Sequence, residues 1–409
     1  MSDALHSARP RTAKLPFHNG RVDLSDETEV ANLMEVIGDA ELPPVVESAA
    51  EPFVGITTDG MTVPDLFHLA DEGLDGKRLV RAAEGYLEGL RPEQLTAAVL
   101  PLDAPEWRLW INAFLTFPEH GLLLDDLAEP QRRAALDVIA ASMSGAGFRN
   151  VRAAMRLNAE LGDICPGYED TLREFKYWFT IFGTPSVTEP WGWQLLGHHL
   201  DLHCLVVGNQ LVMTPTFLGT EFDGHTLFAE HYRAAAELLG SLTSTQRRQA
   251  VLYPSISSTD LPWELGGAID GRHRAGAGRD NRVIPYEGIK GDALSLGQRE
   301  LLLAVARPYL AALPPGPFEA KRAQVQRHIE ETRFAWIGGS DPGEACYYRM
   351  HGPVLLVEYD NHSGIFLDNP EPEPYHVHTI VRTPNGNDYG RDLLRSHHQR
   401  HHHVSAETG

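Results

Sequence analysis

FKYWFTIFG (175–183), WGWQLLGHHLDLHCLVVG (191–208) and NQLVMTPTF (209–217) are short runs of aromatic and β-branched residues broken by Gly and Pro. Their length and composition suit strands rather than helices. Gly208-Asn209 lies between two of them and supplies the turn of a hairpin. A sheet therefore begins near Phe175, and the rest of the chain is arranged around it.

Upstream, from 65 to about 161, apolar residues recur at a spacing near 3.6 in DLFHLADEGL, GKRLVRAAEGYLEGL, EPQRRAALDVIAASM and FRNVRAAMRLNAELG. That period is helical, and Pro and Gly punctuate it. Residues 1–60, rich in Pro, Asp and Glu, read as an arm and packed lead-in with one short helix at 28–37. Downstream, a second helical block at 227–239 and 297–329 is divided by the Gly- and charge-rich stretch 266–293. Too long for a passive connection, that stretch is a candidate lid or substrate loop. Strands TRFAWIG, CYYRMHGPVLLVEYD and YHVHTIVRT follow, then a terminal helix, GRDLLRSHHQRHHH. The expected class is α+β: a helical N-terminal half packed on a mainly antiparallel β-sheet, with a C-terminal helix. The expected regions are the arm 1–60, a helical region 61–170 and an α+β region 171–409, the last two forming one compact unit.

Thirty-five basic residues against 56 acidic ones leave a formal charge of −21. Such a surface repels phosphate backbones and anionic lipid, so neither a nucleic acid nor a membrane is expected as partner. Cys165, Cys204 and Cys346 lack zinc-type or redox spacing and read as core residues in a reducing compartment. The N-terminus has no apolar signal-peptide core, and no segment approaches the roughly 20 apolar residues of a bilayer span. These features lead to the expectation of a soluble cytoplasmic protein, with homo-oligomerisation left open. No Gly-rich phosphate loop follows a strand, so a nucleotide cofactor is not expected.

Chemistry concentrates in two segments. In GHHLDLHC (197–204), read as a continuous strand, His199, Asp201 and His203 share one face, while His198 falls on the apolar one. In YHVHTIVR (375–382), His376 and His378 point to one side. Strand His-x-His pairs donate two imidazoles to one metal, because the backbone holds the ligands before the ion arrives. Glu358 and Asp360 share a face at the end of the preceding strand, and Arg382 and Asp388 follow shortly after. In the last helix, His397 lies on the same side as Leu393 and Leu394 and should turn toward the sheet. Taken singly, each segment could equally be a hydrogen-bonded polar strip. Trp178, Trp191 and Trp193 read as core or pocket wall.

FGTPS, PWGWQLLGHHLDLH, VMTPTFLG, EYDN and HVHTIVRTPNGNDYGRDLLRSHH together resemble the DUF3500 proteins, a family of uncharacterised function, from about 182 to 403. The resemblance implies that His198, His199, Glu358, His376, His378, Asp388 and His397 belong to a common site. Asp201 and Tyr375 depart from the family pattern, so the resemblance does not carry Asp201 over as an essential ligand, and whether Asp201, His203 and His401 contribute stays open. His198 then becomes a buried supporting residue or a ligand reached through a bulge.

Histidines dominate the candidate ligands, which suits Fe, Cu or Zn better than Mg or Ca. The leading expectation is one transition metal ion, Fe or Cu, on His198, His199, His376, His378 and His397. Glu358, Arg382 and Asp388 would be catalytic groups of an oxidoreductase or oxygenase acting on a small or carrier-bound substrate. Arg382 or Arg279 would fix an anionic group, and Trp191 and Trp193 would shield the oxidant. The alternatives are a Zn hydrolase with Glu358 as general base and a non-catalytic metal- or ligand-binding protein.

Overall fold

A computed structural model describes residues 12–14, 21–23, 28, 44–112, 120–165, 167–222, 224–266, 272–339, 341, 343–364, 366–367 and 369–406, without the side chains of 12–14, 21–23, 224–225 and 401–406. The expected helix at 28–37 lies, beyond Thr28, outside the described residues. In the arm, β1 (Thr12–Lys14) pairs antiparallel with β2 (Arg21–Asp23).

The other strands are β3 (Val99–Leu100), β4 (Leu122–Leu123), β5 (Tyr177–Phe182), β6 (Trp191–Gly197), β7 (Leu200–Val207), β8 (Gln210–Val212), β9 (Thr216–Thr220), β10 (Val251–Tyr253), β11 (Ile289–Lys290), β12 (Arg333–Gly338), β13 (Cys346–His351), β14 (Leu356–Asn361) and β15 (Val377–Arg382). Among the described residues these form one 13-stranded sheet, with the path β10-β12-β13-β14-β15-β9-β7-β6-β5-β3. Most neighbours are antiparallel, but β3 pairs β5 and β10 pairs β12 in parallel, so the sheet is mixed. The N-terminal region is not purely helical either, since β3 and β4 extend the sheet edge between helices. Two-residue strands are too short for any period to reveal. CYYRMHGPVLLVEYD, expected as one strand, is a hairpin of β13 and β14.

Strand alternation gives this sheet two different faces. One carries Tyr177, Phe179, Trp191, Trp193, Leu202 and Cys204 against Leu79, Ala83, Val138 and Met155 of the helices Gly76–Glu88, Glu129–Ser142 and Gly145–Ile164. Further along, Trp336, Tyr348, Val357 and Val377 pack on Ala235, Leu239, Leu302 and Val305 of the helices Ala229–Ser241 and Leu296–Leu310. Trp191 and Trp193 therefore belong to the helix-packed core, where Trp193 Nε1 donates to Ser142 Oγ at 2.8 Å. The other face is polar yet buried, with Arg349, Glu358, Asp360, His378, Arg382, Asp201 and His203 all at most 5% exposed.

Irregular chain covers that polar face, and ionic pairing makes its burial tolerable. Arg272 makes a two-pronged contact with Asp360 at 2.6 and 3.0 Å. Asp280 accepts from Arg108 at 2.8 Å and from Arg382 at 2.7 Å. Ala275 and Ile284 are fully buried beside Phe217, Leu356 and Ile380. Within the stretch expected as a lid, Arg272, His273, Ala275, Asp280 and Ile284 are thus buried against the sheet, while Val283 stays exposed; 267–271 lie outside the described residues.

Candidate metal centre

The segment GHHLDLHC is not one strand. β6 ends at Gly197, β7 begins at Leu200, and His198-His199 form a two-residue turn between them. His199 takes φ +62°, a conformation that Gly or Asn adopts far more readily. Both sides of its backbone are fixed: His199 N–H donates to Asn112 Oδ1 at 3.0 Å, and its carbonyl accepts from Gly219 N–H at 2.8 Å. Gly219 lies opposite His378 in the β9–β15 pairing, so this turn carries the His199 ring to β15.

There three imidazoles meet. His378 Nε2 lies 3.1 Å from His199 Nε2 and 2.9 Å from His376 Nε2, and one nitrogen from each ring falls within 4.8 Å of the others. Metal–nitrogen bonds of ~2.0–2.1 Å at tetrahedral angles place ligand nitrogens roughly 3.3 Å apart, close to this spacing. Burial, reinforced by the neighbouring histidines, holds all three well below the usual histidine range. They are neutral at pH 7, the form that ligates. His376 Nδ1 and His378 Nδ1 have no partner among the described residues. The residues present therefore fit a metal ion: three convergent, buried lone-pair donors.

Other side chains pack around the triad. His198 stacks on His199 with centroids 3.7 Å apart, and its Nδ1 donates to Asn158 Oδ1 at 2.7 Å. Asn158 belongs to the helix Gly145–Ile164, and its amide donates to the Arg173 carbonyl, which settles its orientation. Burial pulls His198 down to about 3. Its ring thus supports His199 from outside the three-nitrogen group. His362 lies 4.5 Å from His378 by ring centroids, with Nδ1 2.6 Å from the Ser363 carbonyl. His273, from the covering layer, lies 6.0 Å from His378. Sequence reasoning missed both. His362 was reachable, because the Glu358–Asp360 alternation extended by two residues lands on it.

Glu358, Asp360 and Glu221 are committed elsewhere. Glu358 accepts from Arg274 N–H and Ala275 N–H at 2.8 and 2.9 Å and from Tyr347 OH at 2.5 Å, and Arg349 lies 3.9 Å away. It pairs across the sheet with Ile380, whereas Asp360, the carboxylate opposite His378, is held by Arg272. Asp201 is fully buried, and burial keeps its carboxyl well above the usual range despite the Gly197 N–H. Glu221 accepts from Phe366 N–H and Leu367 N–H, both at 3.1 Å.

Arg382 and Asp388, candidate catalytic groups, pair with each other at 2.8 Å, and Arg382 also binds Asp280. Arg382 stands four residues along β15 from His378, roughly 13 Å at strand rise. It is fully buried in this ion-pair network. Arg279 donates to the His273 carbonyl. His397 does turn inward beside Leu393 and Leu394, but its Nε2 lies 3.3 Å from Glu189 Oε2 and stands outside the three-nitrogen group.

No helix of the described residues is long and apolar enough to cross a membrane. Comparison with curated proteins and with solved structures finds no significant match. The DUF3500 family model does match, over residues 72–391; it begins well upstream of 182 and stops short of His397. With most of its length matched, helices, sheet and triad included, the chain belongs to the DUF3500 family of proteins of unknown function.

Proposed function

We propose that this protein is a metal-dependent oxidoreductase in which His199, His376 and His378 hold one Fe or Cu ion and a small organic or carrier-bound substrate is oxidised beside it. The supporting observation is the convergence of three buried, neutral imidazoles on one point. When bound, the ion would supply one-electron chemistry and oxygen activation at positions the protein leaves open. The chain's own part is to present three lone pairs from a strand and a pinned turn, with His198 and Asn158 steadying the His199 ring. The commitment of Glu358 to the 274–275 backbone and of Asp360 to Arg272 favours oxidation over hydrolysis, because hydrolysis asks for a free carboxylate base.

A zinc hydrolase is the second reading, supported by the same all-imidazole set, which is one that brings zinc-bound water to a pKa of about 7. Metal identity separates the two. Protein purified anaerobically and measured by elemental analysis should hold about one equivalent of Fe or Cu and consume oxygen with its substrate; zinc with ester or amide turnover would support the second reading instead. One equivalent with neither activity would make the centre structural. Loss of metal in His376→Ala and His378→Ala is expected; full occupancy in both would refute the site.

A further inference from the structure

A cavity of about 370 Å³ lies on the helix-covered side of the sheet, where Val381 lines it while Ile380 and Arg382 point the other way. Its walls come from β8, the end of the helix Leu296–Leu310, the helix Pro315–Arg327 and residues 66–72. Side chains hold 66–72 in place as a roof. Gln210 Oε1 accepts from Ala70 N–H at 3.1 Å, Gln210 Nε2 donates to the His68 carbonyl and to Glu72, and Gln324 Nε2 donates to the Leu66 carbonyl at 2.9 Å.

Two cations of the helix Pro315–Arg327, Lys321 and Arg327, line this mainly apolar space, and Lys321 is the ammonium. Lys321 Nζ donates to the Val354 carbonyl at 2.7 Å and to Gln324 Oε1 at 3.1 Å, which leaves one of its three N–H groups without a hydrogen-bond acceptor, the Phe67 ring centroid lying 5.6 Å from the nitrogen. Among the described residues no carboxylate lies within ion-pair distance of it. The two acids of the roof are occupied: Glu72 accepts from Gln210 at 2.8 Å, and Asp71 accepts from Gly73 N–H at 2.8 Å and from Asn209 Nδ2 at 3.1 Å. We infer that this cavity binds an amphipathic monocarboxylate, its apolar body against Leu211, Met213, Leu310 and Leu355 and its carboxylate on Lys321. The volume falls in the range of small-molecule sites, and an apolar pocket with one directional polar anchor is their usual composition. Burial draws the Lys321 ammonium down to about 8, against the pull of Glu72 and Asp388, and an arriving carboxylate would relieve that burial.

Calorimetric titration of the full chain with decanoate, decanol and decyltrimethylammonium tests this. Decanoate should bind saturably at one per chain, decanol about ten- to a hundredfold more weakly, and the cation not measurably. Lys321→Gln should lower decanoate affinity to that of decanol, and Ala323→Leu, which narrows the cavity and leaves Lys321 in place, should weaken both. Absence of saturable decanoate binding would overturn the site. Equal affinity for decanoate and decanol, preference for the cation, or an unchanged Lys321→Gln would overturn the anchor.

Discussion

His199 occupies a backbone conformation that costs a non-glycine residue about 1–3 kcal/mol, and its ring joins the metal-type cluster. A local cost kept at such a place points to use of the side chain. Asn tolerates the same backbone, so His199→Asn is expected to preserve or slightly raise the thermal midpoint while abolishing metal binding; a folded variant with full occupancy would remove His199 from the site. Gly364 bears on the same cluster by proximity. A Cβ there would stand 2.3 Å from Glu221 Oε1 and 2.7 Å from His376 Nδ1. Glu221 is tied to two backbone N–H groups and cannot easily retreat. Gly364→Ala should therefore cost about 1–3 kcal/mol and weaken metal affinity ten- to a hundredfold, checked by thermal melts and competitive chelation.

At the scale of elements, β14 and β15 carry a buried polar stripe that survives because the covering layer from 272 onward supplies its partners. Glu358 illustrates the division between support and chemistry, since its oxygens anchor the 274–275 backbone rather than facing the triad. Glu358→Gln removes the charge beside Arg349 and turns one acceptor into a donor facing N–H or O–H groups. The expected result is a loss of about 3–5 kcal/mol in denaturant titration with metal stoichiometry unchanged. If metal were lost at full stability, Glu358 would belong to the centre instead.

For the molecule as a whole, buried neutral histidines govern acid stability. Burial lowers His203, His231 and His351 to about 3 each. The unfolded chain protonates them near pH 6.5 and the folded chain does not, so nothing is lost above that pH and stability falls as pH drops from about 6.5 toward 3. Each contributes a loss of about 1.4 kcal/mol per pH unit inside that window. Urea midpoints between pH 7 and 4 should fall steeply, and His351→Gln should flatten the slope by about one proton's worth; an unchanged slope would place His351 elsewhere in the balance.

The sequence alone determined that helices and strands alternate across a mixed-class fold, because periods of 3.6 and 2 are local properties of composition. It also determined that His376 and His378 share a side, since one strand's alternation suffices for that. It misplaced the geometry of His198 and His199, where two histidines stand at a turn usually made by Gly or Asn and the aromatic run hid the break. Only the tertiary structure decided that Glu358, Arg382, Asp388 and His397 are paired away from the triad while His362 and His273 approach it. Partner choice among buried charges depends on which distant segment covers a sheet face, and no spacing along the chain encodes the arrival of Arg272 on Asp360 or of Asp280 on Arg382.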